Sequence, residues 1–269
     1  ASGVLVVAIG SATRLIDHVQ REQKTYIASI LLGATSETLD ADGIIAPRID
    51  PPIPTESQIR VALASQVGTI VQQPPAFSAL RIEGKRAYEL AREGQADNLA
   101  PRPVRIDRVE MIHYDWPHLE IEVDCGAGTY IRSIARDVGD ALGCGGLISS
   151  LRRTRIGPFR VEDAFPPDPE FFTLNSIADH LRPALDALID LPVLKLNDTQ
   201  VATVQRGQPL GPTWGDSAPI SAGEVALIDL DGRLIALAEV DPITGLYQPR
   251  RVLSGPTDPP NSSSDQSGR

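Results

Sequence analysis

Aromatic side chains make up only 4% of the 269 residues, and the chain holds two cysteines, one methionine and two tryptophans. Two thiols, Cys125 and Cys144, with no CxxC pair cannot build a disulfide framework; they read as reduced and buried. Stability must then come from an aliphatic core. The four histidines, His18, His113, His118 and His180, show no HExxH or other ligand spacing, so no metal site is expected. No apolar stretch approaches the roughly 20 residues that cross a bilayer, so no membrane partner is expected. The glycine clusters "CGAG" and "GCGG" lack the GK[ST] of a phosphate loop, and no GxSxG elbow occurs. That argues against a nucleotide site and a serine-hydrolase site.

The formal net charge is -10, which argues against a protein that binds nucleic acid with its whole surface. A local basic face is still compatible with that balance. "SLRRTRIGPFR" holds Arg152, Arg153, Arg155 and Arg160 with no acid among them. The 269 residues are enough for one large domain, or one domain with a small second one, and the 42% hydrophobic content supports an ordinary soluble core.

Along the chain, Val4–Ile9 reads as a buried strand, because it is apolar and rich in β-branched residues. Ser11 or Thr13 is placed to cap a short helix reaching about Val19. "KTYIASILLG" reads as a strand, and "GATSETLDADG" as a turn-rich loop. Thr55 and Gln58 form a capping box that opens a helix to about Gln66. "KRAYELARE" has good helix formers and ends at Gly94. Residues 103–114 and 118–125 read as strands. In "GTYIRSIARDVGDALG", Ile131, Ile134, Ala135, Val138 and Leu142 share one helical face, with Gly143 as the stop. Asp137 and Asp140 lie off that face and read as solvated. After Phe165 come a "PPDPE" linker, a helix over about 176–189, then short strands and an Asp231-Gly232 hairpin turn. The polar, Pro/Ser-rich tail from Ser254 reads as disordered.

Four blocks in order, "KTYIASILLGATSETLDADG", "QQPPAFSALRIEGKRAYELAREG", "CGAGTYIRSIARDVGDALGCG" and "LISSLRRTRIGPFRVEDA", resemble the TruB family of tRNA pseudouridine synthases, which isomerise uridine 55 of the T-arm. The resemblance covers residues 1 to about 165. It implies an α+β fold: a mixed, mainly antiparallel sheet with flanking helices, followed by a small β-rich PUA-like module at 191–253. The implied organisation is a catalytic domain at 1–165, a linker and helix at 166–190, the module, and a tail at 254–269. The implied partner is tRNA, without metal or cofactor, bound by a cytoplasmic monomer. A guide-RNA-dependent relative is the less favoured type, because the chain is compact and has no basic tail. A non-catalytic tRNA-binding or tRNA-folding protein is the alternative from another class.

Isomerising uridine means detaching the base, turning it and rejoining it through carbon, so the nucleotide must be flipped out of its stack. The resemblance assigns Tyr26 to stack on that base and Leu151 to pack against it. Tyr130 is assigned to proton removal and Arg132 to orienting a catalytic aspartate. Arg152 and Arg153 are assigned to RNA phosphates. Two positions depart from the family pattern. Arg81 stands where the family usually has lysine. The nucleophilic aspartate belongs to a "GTLDP" turn that would precede "ASGVL", and no such turn lies in the 269 residues. No other carboxylate, Asp17 and Asp124 included, sits in a matching motif. The resemblance therefore leaves Arg132 without an anionic partner, the chain inactive, and an unpaired, apolar edge at the first strand.

Overall fold

The computed structural model describes residues 1–78, 81–82, 85–86, 99–166, 177–178, 180–211 and 222–253. Two compact units divide the chain: Ala1–Val6 with Gln20–Phe165, and Val7–Val19 with the chain from Pro166. A reading of residues 1–165 as one continuous domain does not separate Val7–Val19; the packing does. Among the described residues no helix is long and apolar enough to cross a membrane.

The main sheet of the first unit has seven strands: β1 (Ser2–Gly3), β2 (Lys24–Leu32), β3 (Gly68–Gln72), β4 (Arg102–Asp115), β5 (His118–Cys125), β6 (Gly146–Ile156) and β7 (Phe159–Arg160). They lie in the order β1-β6-β2-β5-β4-β3, with β7 paired to β6. Only β1 runs parallel to its neighbour; every other pairing is antiparallel. Two helices, α2 (Glu56–Ala64) and α3 (Ile131–Ala141), belong to this unit. The Thr55/Gln58 capping box opens α2.

Period-two alternation sorts the side chains of β2 and β5 onto two faces. Ala28, Ile30 and Leu32 join Leu119, Ile121 and Val123 on the inner face. There they pack with Ile59 and Leu63 of α2 and with Ile131, Ile134 and Val138 of α3. The expected apolar stripe of α3 is thus its buried face. Thr25, Glu122 and Asp124 face the other way. Arg108 reaches Asp124 at 2.8 Å and also Glu122, and Thr25 donates to Asp124 at 2.6 Å. Burial raises the Asp124 carboxyl, but hydrogen bonds from Thr25 and Arg108 outweigh it and hold it below its ordinary value. Asp137 and Asp140 pair with Arg136 (2.8 Å) and Arg48 (3.7 Å).

Three local expectations need correction. Val4–Ile9 is not a buried strand. Main-chain bonding to β6 ends at Val4, whose N–H donates to the Arg153 carbonyl (2.9 Å), while Arg153 Nε donates to the Val4 carbonyl (2.9 Å), an acceptor a neighbouring strand would otherwise use. Val4 is buried, but Leu5, Val7 and Ile9 are 73%, 71% and 56% exposed. The β-branched run favours extended backbone without supplying a partner strand. Next, the segment from Gly10 to Leu15 is a 3₁₀ turn that leads into α1 (Ile16–Arg21), and its N-cap is Ile9, which has no side-chain acceptor. Thr13 donates instead to the Gly10 carbonyl at 2.7 Å. Finally, of the helix expected over 176–189, the described residues show helix at Ile177–Ala178 and a separate 3₁₀ turn at Ala184–Leu188. Pro183 lacks an amide proton and clashes with a preceding carbonyl, so an α-helix cannot run through it. The readings of residues 87–98 and 254–269, and the Arg81 side chain, lie outside the described residues.

The second unit holds a four-stranded sheet, β8 (Val193–Lys195), β9 (Gly223–Ile228), β10 (Leu234–Val240) and β11 (Tyr247–Val252), in that order. Helix α4 (Asp198–Gln205) packs on it and opens with an Asn197/Gln200 capping box. Gly232, at φ 82, turns the β9–β10 hairpin. Leu15, 1% exposed, packs with Leu188, Ala226, Leu237 and Leu253. Arg251 donates to the Arg14 carbonyl (2.6 Å) and lies 3.7 Å from Asp17. A residue near the start of the chain thus completes the core of the C-terminal unit. Leu15→Ala should cost about 2–3 kcal/mol through the cavity it leaves. Hydrogen exchange should show lost protection at Val225–Leu227 with little change at Ile121–Val123. Equal loss in both strands would contradict the assignment.

Candidate active site

The site grows from the first turn of α3. Residues 126–129 close the chain after β5, and Tyr130 is the N-cap residue at φ −102, ψ 110. Arg132 follows in the first turn, and its guanidinium meets three acceptors from two other segments. Nη1 donates to the Thr38 carbonyl (2.8 Å) and to Asp40 Oδ2 (2.9 Å), and Nη2 donates to the Phe77 carbonyl (2.7 Å). The planar fork of arginine suits this, because its donors point in fixed divergent directions and stay charged.

Asp40 is the anionic partner that the sequence reading did not provide. Its turn docks on β6, with Ala41 donating to the Ile148 carbonyl (2.9 Å) and Ile148 donating to the Leu39 carbonyl (3.0 Å). Leu39 takes φ 62, a left-handed conformation that costs a leucine strain. Asp40 Oδ1 accepts from the Thr38 hydroxyl (2.5 Å) and the Asp42 amide (3.2 Å), while Oδ2 takes Arg132. Both side chains are largely shielded, at 23% exposed for Arg132 and 19% for Asp40. An ion pair this shielded is worth more than a surface pair, and removing one member is costly.

The segment from Gln72 to Phe77 lies along α3. Gln72 Oε1 accepts from the Tyr130 amide (2.8 Å), and Gln72 Nε2 donates to the Tyr130 carbonyl (3.1 Å). The Gln73 carbonyl accepts from the Ser133 hydroxyl (2.8 Å) and from Arg136 Nη2 (3.1 Å). Arg102 lies over the Tyr130 ring, 5.3 Å from its centroid, and donates to the Gly128 carbonyl at 2.7 Å.

Tyr26 and Leu151 both pack, partly buried, against the inner-face core that contains Ile131 and Ile134. They share that face with the base of α3. Burial pushes the Tyr26 phenol above its ordinary value, and the Arg153 guanidinium beside it opposes this. Arg152 and Arg153 are successive strand residues, so they point to opposite faces. Arg153 stands beside Tyr26, while Arg152 is exposed and registers with Ile27. Of the residues expected in one site, Tyr26, Leu151, Arg153, Tyr130 and Arg132 come to the α3 side of the sheet, and Arg152 does not. Asp40, Gln72 and Arg102 went unassigned in the sequence. "SETLDADG" reads as an ordinary turn, and neither glutamine nor arginine carries a motif that names its partner.

Neither thiol belongs to this chemistry. Cys125 and Cys144 are free and buried, and burial pushes the Cys125 thiol up to about 11 and raises Cys144 too. Because the thiolate is the nucleophile, native protein at about pH 8 should resist iodoacetamide at both positions and react at both once unfolded. Stoichiometric labelling of the native chain would contradict this.

The architecture matches that of solved structures. It superposes on a chain of "Crystal Structure of a Cbf5-Nop10-Gar1 Complex" with TM-score 0.70 and 24% identity, covering 94% of this chain and 73% of that one. "Structure of H/ACA RNP bound to a substrate RNA containing 2'-deoxyuridine" gives 0.66 and 23%, covering 92% and 71%. This likeness shows the fold. A "TruB family pseudouridylate synthase (N terminal domain)" model matches residues 1–131, and a "tRNA pseudouridylate synthase B C-terminal domain" model matches residues 132–193. A protein named tRNA pseudouridine synthase B from Rhizobium etli is 40% identical over 265 residues, covering 94% of this chain and 84% of its own length. Its namesake from Sinorhizobium medicae is 37% identical over 264 residues, covering 95% and 84%. The chain belongs to the TruB family of pseudouridylate synthases.

Proposed function

We propose that this site isomerises uridine 55 in the T-arm of tRNA, with Tyr26 stacked on the flipped base and Leu151 against its edge. In the reaction the C1′–N1 bond breaks, the base turns and a C5–C1′ bond forms; the proton on C5 leaves and N1 takes up a proton, so the product is an isomer of the substrate. Tyr130 stands by the proton-transfer step. The observation that carries this reading is the Arg132–Asp40 corner at the start of α3, beside an inner face that offers Tyr26 and Leu151.

Arg132 has five N–H donors, and three hydrogen bonds to Thr38, Asp40 and Phe77 fix its plane. A guanidinium so fixed is prepared to orient a second carboxylate. Asp40 does not suit the nucleophile's task, because Oδ1 and Oδ2 are both engaged by donors that draw off their electron density. The nucleophile in this reading is the aspartate of a "GTLDP" turn ahead of Ala1. It acts without metal or cofactor, in a cytoplasmic monomer, and Arg153, beside Tyr26, contributes charge toward RNA.

The test is tritium release from 5-labelled uridine in a T-arm stem–loop. The 269-residue polypeptide should bind the stem–loop, more weakly as salt rises, without releasing tritium. The same polypeptide preceded by the family's aspartate-bearing turn should release it. Turnover by the 269 residues alone would overturn the assignment of the nucleophile. Absence of stem–loop binding at low salt would overturn the substrate.

A further inference from the structure

We propose that Gln72 and Arg102 form a two-point clamp that sets the position of Tyr130, which makes them positioning residues for the reaction. The proposal rests on the reading of Tyr130 as a residue that faces the base. The two residues sit directly opposite each other in the β3–β4 register, so one cross-strand pair reaches the same tyrosine. Gln72 holds its main chain and Arg102 holds its ring.

The Gln72 arrangement is specific. The side chain is 1% exposed, and both halves of its amide bond to a single residue. The carbonyl oxygen takes the Tyr130 N–H and the amide nitrogen serves the Tyr130 C=O. A neighbouring strand fixes a residue in the same way, through both peptide groups at once. Tyr130 is a helix N-cap without a side-chain cap bond of its own, so its orientation depends on outside contacts. A buried amide satisfied at both ends also tolerates little displacement, since a shift leaves two polar groups unpaired.

Arg102 supplies the second point. Its guanidinium lies over the phenol ring, where a cation is attracted to the π face, and its bond to the Gly128 carbonyl ties it to the turn just before Tyr130. The chain that begins at Gln72 also gives the Gln73 carbonyl to Ser133 and the Phe77 carbonyl to Arg132. The rotation of the first turn of α3, and with it both Tyr130 and Arg132, is therefore referred to one strap leaving β3.

The experiment compares affinities of the 269-residue chain for a T-arm stem–loop carrying either uridine or an abasic sugar at the target position. The ratio of the two isolates the base's contribution. Gln72→Ala and Arg102→Ala should each lower that ratio about tenfold, the scale of a lost base–aromatic contact. Affinity for the abasic RNA should stay within about twofold. Arg102→Lys should recover part of the ratio. Gln72→Met fills the same space and should recover none of it, because the hydrogen bonds are what orient Tyr130. A ratio restored by Gln72→Met, or unchanged in both alanine variants, would overturn the clamp. A ratio of one in the unaltered chain would overturn the base-facing reading of Tyr130 and the clamp with it.

Discussion

Arg132→Ala, made in a polypeptide extended by the proposed aspartate-bearing turn, should lower kcat by about a thousandfold, the scale of losing a group that holds a reacting partner in line. It should also cost about 3 kcal/mol of stability, because the shielded Asp40 carboxylate and two main-chain carbonyls lose their donor together. Arg132→Lys keeps the charge but has no planar fork, so it should restore little of either loss. Asp40→Asn keeps an acceptor toward Arg132 and should cost less than Asp40→Ala. The double variant Arg132→Ala/Asp40→Ala should be less damaging than the sum of its parts, because the second removal strands no charge. Additive losses in urea unfolding and turnover would show that the two side chains do not act as one unit.

Gly139→Ala should be among the most destabilising single substitutions in the first unit. On an ordinary helix the change gains about 1 kcal/mol, since glycine has the greater backbone freedom to lose. Here the sign reverses. A Cβ at 139 would lie 2.3 Å from the Gly145 carbonyl carbon and 2.3 Å from the Gly146 amide nitrogen, both main-chain atoms. Neither can turn aside as a side chain would, so α3 must move away from β6. The expected cost is about 4 kcal/mol, a fall in Tm of about 10 °C. The displacement would also separate Arg132, carried by α3, from Asp40, whose turn is docked on Ile148 of β6. Asp140→Ala, on the same helix in a largely exposed pair with Arg48, should change stability by no more than about 0.5 kcal/mol. Equal melting temperatures for the two variants would contradict the close-contact explanation.

Local patterns in the sequence were enough to identify the elements that depend on local physics. The α3 stripe, the Thr55/Gln58 box and the β2 and β5 strands all follow from periodicity and capping chemistry. Long-range choices did not show in the same way. Val4–Ile9 has strand propensity, but the Val4 carbonyl is bound by the Arg153 side chain. Leu15 looks like any apolar residue of a short helix, yet its neighbours lie far along the chain, at Leu188, Ala226, Leu237 and Leu253.

The site divides along the same line. Tyr26, Tyr130, Arg132 and Leu151 are carried by motifs that resemble a family. Asp40, Gln72 and Arg102 act through partners 92, 58 and 26 positions away, at Arg132, Tyr130 and Gly128. A turn aspartate, a strand glutamine and a strand arginine announce no such partners. Arg152 and Arg153 show the reverse case. Adjacent in sequence and alike in charge, they read as one basic pair, but strand alternation turns them to opposite faces.

The central claim is that the uridine sits on the inner sheet face at the start of α3. The most direct measurement is photocrosslinking of a T-arm stem–loop with 4-thiouridine at the target position, mapped on the 269-residue chain by mass spectrometry. Adducts at Tyr26, Tyr130 or Leu151 are the predicted result. Adducts confined to the opposite face around Arg152 and Thr25, or to the Gly223–Val252 sheet, would contradict it.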